Sequence, residues 1–277
     1  MPAAIASPTS AARLRSSDTL PPRMSITASP VTPRSILAAA WPLFQVSWLG
    51  CLPLALLGVA ASGSPQAAAS EAGEAHGFQH GEGWWGLVLA TTLLVLICQG
   101  AVVLRQHALA EGRRLSPLEA MRLAARRLPQ SLGTALLLSL PSLVVIALVP
   151  VDRRLVAVLA PFALGVLLWL AFAWPAALLE PCAPLEALRR GARLVRGRLR
   201  LLLSLELMAF AIVLVFLLLA GILLGVVMEI AGMDGAGVGR GQLGLSRLLI
   251  AALCAFPVIW LGAVWVTAYR VLRAGQP

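Results

Sequence analysis

From Leu201 to Val227 the chain runs for 27 residues with a single ionisable side chain, Glu206. A helix of that length measures about 40 Å, against roughly 30 Å of bilayer hydrocarbon, so the run predicts a tilted membrane span. In lipid a segment must satisfy its own backbone groups, and a lone segment does this only as a helix. Five further apolar runs repeat the pattern. The expected spans are Ile36 to Ala60, Trp84 to Leu104, Leu132 to Val149, Leu155 to Leu179, Leu201 to Val227 and Leu248 to Val271. The third holds Pro141 and is short, so a re-entrant path is its alternative. With 59% hydrophobic residues and 12% charged ones, the chain has too little charge to cover the surface of a soluble domain of 277 residues. The sequence therefore predicts an all-α integral membrane protein over residues 34–273. A Ser/Pro/Thr-rich disordered leader (1–33) precedes it, within which Met24 is an alternative start.

All 22 basic residues are arginines, and eighteen of them fall in the leader, the 105–131 and 180–200 connections, and the C-terminal tail. The opposite connections hold only Arg153, Arg154, Arg240 and Arg247. The positive-inside rule then places both termini and both basic connections in the cytoplasm, and six spans satisfy this. Arginines flanking apolar runs point to membrane lipids with anionic headgroups, not to nucleic acid. The multi-pass protein is expected in a bacterial cytoplasmic membrane.

Each basic connection contains a short amphipathic helix. Ser116-Pro-Leu-Glu119 has the residues of a capping box, with proline at the first helical position. Ala183-Pro-Leu-Glu186 repeats it 67 positions later without the capping hydroxyl. Leu118, Met121, Ala125 and Leu128 form the expected apolar stripe of the first helix. Leu185, Leu188, Ala192, Val195 and Leu199 form that of the second. Pro-Leu-Glu-Ala, Arg122/Arg189 and Arg126/Arg193 match in phase, so the unit of span, basic helix, span reads as a parallel internal repeat. The arginines beside the stripes, Arg122, Arg126, Arg189, Arg193, Arg196 and Arg200, are candidate contacts for anionic lipid. Ordinary topology determination is the alternative role.

The second connection, Pro184 to Leu188 and Leu194 to Gly197, resembles the membrane domain fused to some bacterial glycerophosphodiester phosphodiesterases, and its stand-alone, uncharacterised polytopic relatives. Pro117 to Met121, Ala40-Trp41-Pro-Leu-Phe44 and Tyr269-Arg-Val-Leu-Arg273 add to the resemblance. It implies a membrane module and carries no hydrolytic activity, because the fused enzymes keep that chemistry in a separate soluble barrel.

No HExxH, phosphate loop, nucleophile elbow or carboxylate pair is present, so neither enzymatic activity nor a cofactor is expected. His76 and His80, with Glu74 and Glu82 nearby, form a weak metal pattern in a Gly-rich loop. That loop reads better as solvated connection. Cys51, Cys98, Cys182 and Cys254 lack metal spacing. Glu206 is expected to form an intramembrane ion pair with Arg105 or Arg270, which end other spans at similar depth. Gly221 and Gly225 make a GxxxG face suited to packing or to an oligomer. The expected role is a structural or regulatory module in envelope or lipid organisation. The alternative, a small-solute transporter or channel component, requires scattered polar residues such as Gln99, Ser139, Ser142 and Ser204 to converge.

Overall fold

A computed structural model describes residues 31–75, 82–148, 169–230 and 240–275, together with 159, 161, 163 and 165–167. The chain folds into helices α1 (Pro33–Ala75), α2 (Glu82–Ala110), α3 (Pro117–Arg126), α4 (Leu128–Leu148), α5 (Ala173–Leu179), α6 (Pro184–Val195), α7 (Leu199–Ile230) and α8 (Arg240–Ala274). Five helices are long and apolar enough to cross a membrane, over Pro33–Gly63, Trp84–Ala110, Leu128–Val145, Leu199–Val227 and Leu249–Ala274. Much of the expected fourth span, 155–179, lies outside the described residues. Its described end is broken at 170–172 before α5 begins. Residues 1–30 of the leader, and His76 and His80, also lie outside the described residues.

One expected boundary is corrected. The chain after Ala60 was expected to be loop, yet α1 continues to Ala75. Six alanines between Ala61 and Ala75 explain this, because alanine has the highest intrinsic helix propensity.

The bundle is centred on α1, which packs along both α2 and α8. The contacts are made by small residues. Gly50 of α1 lies against Arg105 of α2 and Gly58 against Cys98, while Ala40, Cys51 and Ala55 of α1, Ala101 of α2 and Ala255, Ala263 and Ala268 of α8 are buried in the same core. A Cβ at Gly58 would lie 3.1 Å from Cys98 Cβ. Such backbone proximity maximises dispersion contact where lipid supplies no hydrophobic drive between helices. Aromatic contacts fill the wider parts, with Phe44 edge-on to Phe256 at 4.9 Å and Phe216 stacked on Phe256 at 4.5 Å.

The most apolar helix is the most exposed. On α7 only Leu202, Leu205 and Ala209, near its start, are buried. Leu207, Phe210, Leu214, Leu218 and Leu223 all project outward. Water would oppose such a surface at about 25 cal/mol per Å², so its solvent is hydrocarbon. Gly221 and Gly225 lie on this outlying part, and a Cβ at either would meet nothing within 4 Å, so their GxxxG face packs on no described part of the chain.

Both basic helices are set by local signals. Gly112 (φ +78°) closes α2 in a Schellman arrangement, with Arg113 N–H bonding the Ala108 carbonyl at 2.8 Å and Gly112 N–H the Leu109 carbonyl at 3.0 Å. At the start of α3, Glu119 N–H donates to Ser116 Oγ (3.2 Å) and Ser116 N–H to the Glu119 carboxylate (2.9 Å), completing the expected capping box. Ala183 holds nearly the same backbone angles as Ser116 (−65°, 153° against −68°, 154°) but provides no side-chain cap. Glu186 is instead paired with Arg190.

The buried faces differ from the expected leucine stripes. Ala120 and Ala124 bury α3, and Ala187, Gly191, Leu194 and Val195 bury α6, whereas Leu118 and Leu185 are each 57% exposed. Small residues win the inner face because the helices press close. A Cβ at Gly191 would stand 2.6 Å from the Ala173 backbone nitrogen.

Candidate functional site

Seven residues into α7, Glu206 turns toward a cleft and not toward a neighbouring cation. Gln99 of α2 and Ser139 and Ser142 of α4 line the same cleft, joined by Trp174 of α5 and Trp265 of α8. Counted from the helix ends on the side of the basic helices, Gln99 and Ser139 lie about 16 Å deep, Trp265 about 13 Å and Glu206 about 10 Å. Three of the four scattered span polar residues, Gln99, Ser139 and Ser142, thus line one cleft. Ser204 does not join them, and its hydroxyl donates to its own helix at the Leu201 carbonyl (2.9 Å). The cleft has a volume of about 510 Å³, within the range of small-molecule sites. Its other walls are Leu and Ala. Two smaller cavities of about 200 and 110 Å³ share Gln99 with it, and the outermost reaches Ser62 of α1.

The cleft lies between helices with lipid-facing flanks. On α4, Leu136, Leu137, Leu140 and Leu143 are exposed, as are Leu203, Leu207 and Phe210 on α7. Both helices line the cleft without packing extensively on one another. Exposed leucines on both helices therefore flank the cleft.

The ion pair expected for Glu206 does not form. Among the described residues the carboxylate has no ion-pair partner, and the two expected arginines face elsewhere. Arg105 donates to the Gly50 carbonyl of α1, where its guanidinium occupies the space a Cβ would need. Arg270 lies within electrostatic reach of His107 and Glu111, at the end of α2.

The other polar assembly lies where α5, α6 and α8 meet. Glu180, just after α5, accepts a 2.6 Å hydrogen bond from Tyr269 Oη, pairs with Arg190 of α6, and faces Arg273 of α8 at 3.1 Å. Burial works to raise its carboxyl pKa, but the Tyr269 and Arg190 hydrogen bonds and the Arg273 charge outweigh it and hold the group below its ordinary value. Arg198, before α7, donates to the Leu272 (3.4 Å) and Gly275 (3.1 Å) carbonyls at the end of α8, and Arg127 donates to Leu178. One end of the bundle is thus held by carboxylate and carbonyl acceptors. No local pattern marks Glu180. Its signal is only a carboxylate at a span end close to an arginine-rich segment.

All six arginines proposed as lipid contacts, Arg122, Arg126, Arg189, Arg193, Arg196 and Arg200, are exposed, and none forms an ion pair among the described residues. Arg122 follows exposed Leu118 by four residues, and Arg189 follows exposed Leu185 by the same spacing. Each helix thus turns a leucine and arginines outward together. The cysteines are all free, three of them buried, and among the described residues no group of three His, Cys, Asp or Glu side chains is placed to hold a metal.

These features define a multi-pass, all-helical membrane protein. Comparison with known families, curated proteins and solved structures returned no match for the chain.

Proposed function

We propose that this protein is a non-enzymatic component of a bacterial cytoplasmic membrane that admits a small solute to a cleft between α4 and α7. The observation that carries the reading is the meeting of Gln99, Ser139, Ser142 and Glu206 around one cleft. Polar groups inside a bilayer are costly, and a bundle needing only to pack would not gather them around an open space. Collision of a spin label with a water-soluble nickel chelate tests this. A label at Ser142→Cys should be accessible and one at lipid-facing Leu217→Cys should not. Equal inaccessibility would refute the cleft.

The finer architecture belongs to the same proposal. The chain crosses six times, with both termini and both basic helices in the cytoplasm, and α3 and α6 rest in the inner interface as copies of one ancestral unit. Support comes from four correspondences at the 67-residue offset. Ser116 and Ala183 share backbone angles, Ala120 and Ala187 are fully buried, Ala124 and Gly191 form the close contacts, and Leu118 and Leu185 are equally exposed. Membership of the phosphodiesterase-associated membrane-domain family is also part of the proposal and adds no activity. Reporter fusions at residues 120 and 190 should report the same side, and opposite sides would end the repeat.

A second reading, a structural or regulatory module organising lipid, is favoured by the six exposed arginines that form no ion pair among the described residues. Anionic headgroups would pair with them. Replacing Arg189, Arg193, Arg196 and Arg200 by Gln should reduce the phosphatidylglycerol retained through detergent extraction. Unchanged retention counts against this reading.

A further inference from the structure

We propose that the α4–α7 cleft is built for a hydrophobic organic cation. The inference rests on the solute-cleft reading and names its ligand class.

Among the described residues Glu206 is the only ionisable group lining the cleft, and no described arginine or histidine lines it. Arg105 and Arg127, on neighbouring helices, donate to the Gly50 and Leu178 carbonyls, and Arg200, six residues before Glu206, is exposed and forms no ion pair with it among the described residues. A carboxylate in an apolar cleft without a protein counter-charge is costly, and a bound cation would offset that cost. Trp174 and Trp265 line the same cleft in an edge-on pair with ring centroids 6.3 Å apart. Tryptophan has the ring face that attracts cations most strongly, and the attraction grows when the cation is desolvated. Carboxylate and indole therefore favour the same charge. The remaining walls are mainly leucine and alanine, which suit an apolar body and offer nothing to a small hydrated ion. Gln99, Ser139 and Ser142 add hydrogen-bonding groups for substituents. An anionic amphiphile would meet Glu206 with like charge, and a neutral acyl chain would leave it unpaired.

Charge sign can be tested at constant size and shape with tetraphenylphosphonium and tetraphenylborate. The reporter is alkylation of Ser142→Cys by N-ethylmaleimide in the full chain in nanodiscs. Cys254→Ser removes the least buried native thiol. The phosphonium should slow alkylation about tenfold and the borate should leave it unchanged. Glu206→Gln should lose most of the phosphonium protection. Equal protection by the two ions, or full protection retained in Glu206→Gln, overturns the cation inference while leaving the cleft standing. Alkylation of Ser142→Cys no faster than that of Leu217→Cys, with neither ion protecting, overturns the cleft and the inference together. The comparison of the two ions needs no change at Glu206, so it stands even if that variant folds poorly.

Discussion

The Tyr269 hydroxyl donates a 2.6 Å hydrogen bond to the Glu180 carboxylate, joining the end of α8 to the turn between α5 and α6. Tyr269 is the only tyrosine in the chain. Its ring is buried, so its hydroxyl has a protein partner where water is scarce. Tyr269→Phe keeps the ring and removes the donor. Hydrogen bonds to charged groups contribute about 1.5–3 kcal/mol, and the variant should lose stability on that scale in detergent melts. An unchanged melting temperature would show that Arg190 and Arg273 hold Glu180 unaided.

Acid should loosen the same junction. Glu180 titrates below its ordinary 4.5 in the folded protein, so its contribution is complete above that value and is lost as pH falls through the folded pKa. Glu111 is also held low. Burial works to raise it, but the Arg113 hydrogen bond and the neighbouring cationic charge prevail, so it adds to the same acid limb. The melting temperatures of wild type and Glu180→Gln should therefore differ most near neutral pH, and the difference should shrink as pH falls below 4.5. A constant difference from pH 7 to pH 3 would exclude titration of Glu180 as its source.

The two basic helices allow a cap to be exchanged. Ala183 has the backbone conformation of an N-cap without the oxygen, so Ala183→Ser should stabilise α6 by about 1 kcal/mol. Ser116→Ala should cost α3 a similar amount. Denaturation midpoints of the two single variants should move in opposite directions, and movement in the same direction would mean that the caps are not equivalent.

Glycines separate the packed helices from the free one. Gly191→Ala forces a Cβ against the Ala173 backbone and should destabilise by about 1–3 kcal/mol. Gly221→Ala meets open space, and in a helix it should be neutral or stabilising by up to about 1 kcal/mol. If a second copy occupies the GxxxG face, Gly221→Leu should reduce energy transfer between labelled chains in liposomes. An unchanged signal removes that interface.

Gln106 supplies a fifth test. Its fully buried amide donates to the Ile259 carbonyl at 2.8 Å and to Ser47 Oγ at 3.2 Å, bridging α2 to α8 and α1. Interhelical hydrogen bonds of this kind in membranes average about 0.6 kcal/mol, so Gln106→Leu should cost little. Gly262→Ala should cost more, since its Cβ would lie 2.6 Å from Gln106 Oε1. Pairing it with Gln106→Ala should recover most of that loss, and strict additivity of the two would contradict the contact.

The sequence by itself determined the class of protein and its local joints. Hydropathy is a property of each segment, so the apolar character of 201–227 predicts a span whatever surrounds it. The Ser116–Glu119 box likewise closes within four residues and appears as read. Propensity also decides α1 beyond Ala60, although the glycines and serines there suggested a loop. Only the tertiary structure decided which faces meet. Gln99, Ser139 and Glu206 lie more than a hundred residues apart from first to last, and their convergence depends on the rotation and register of three helices. The same rotation turns Arg105 and Arg270 away from Glu206, although their depths match. Depth follows from counting residues, but azimuth depends on which small side chains let two backbones approach, and that is set by the packed bundle as a whole.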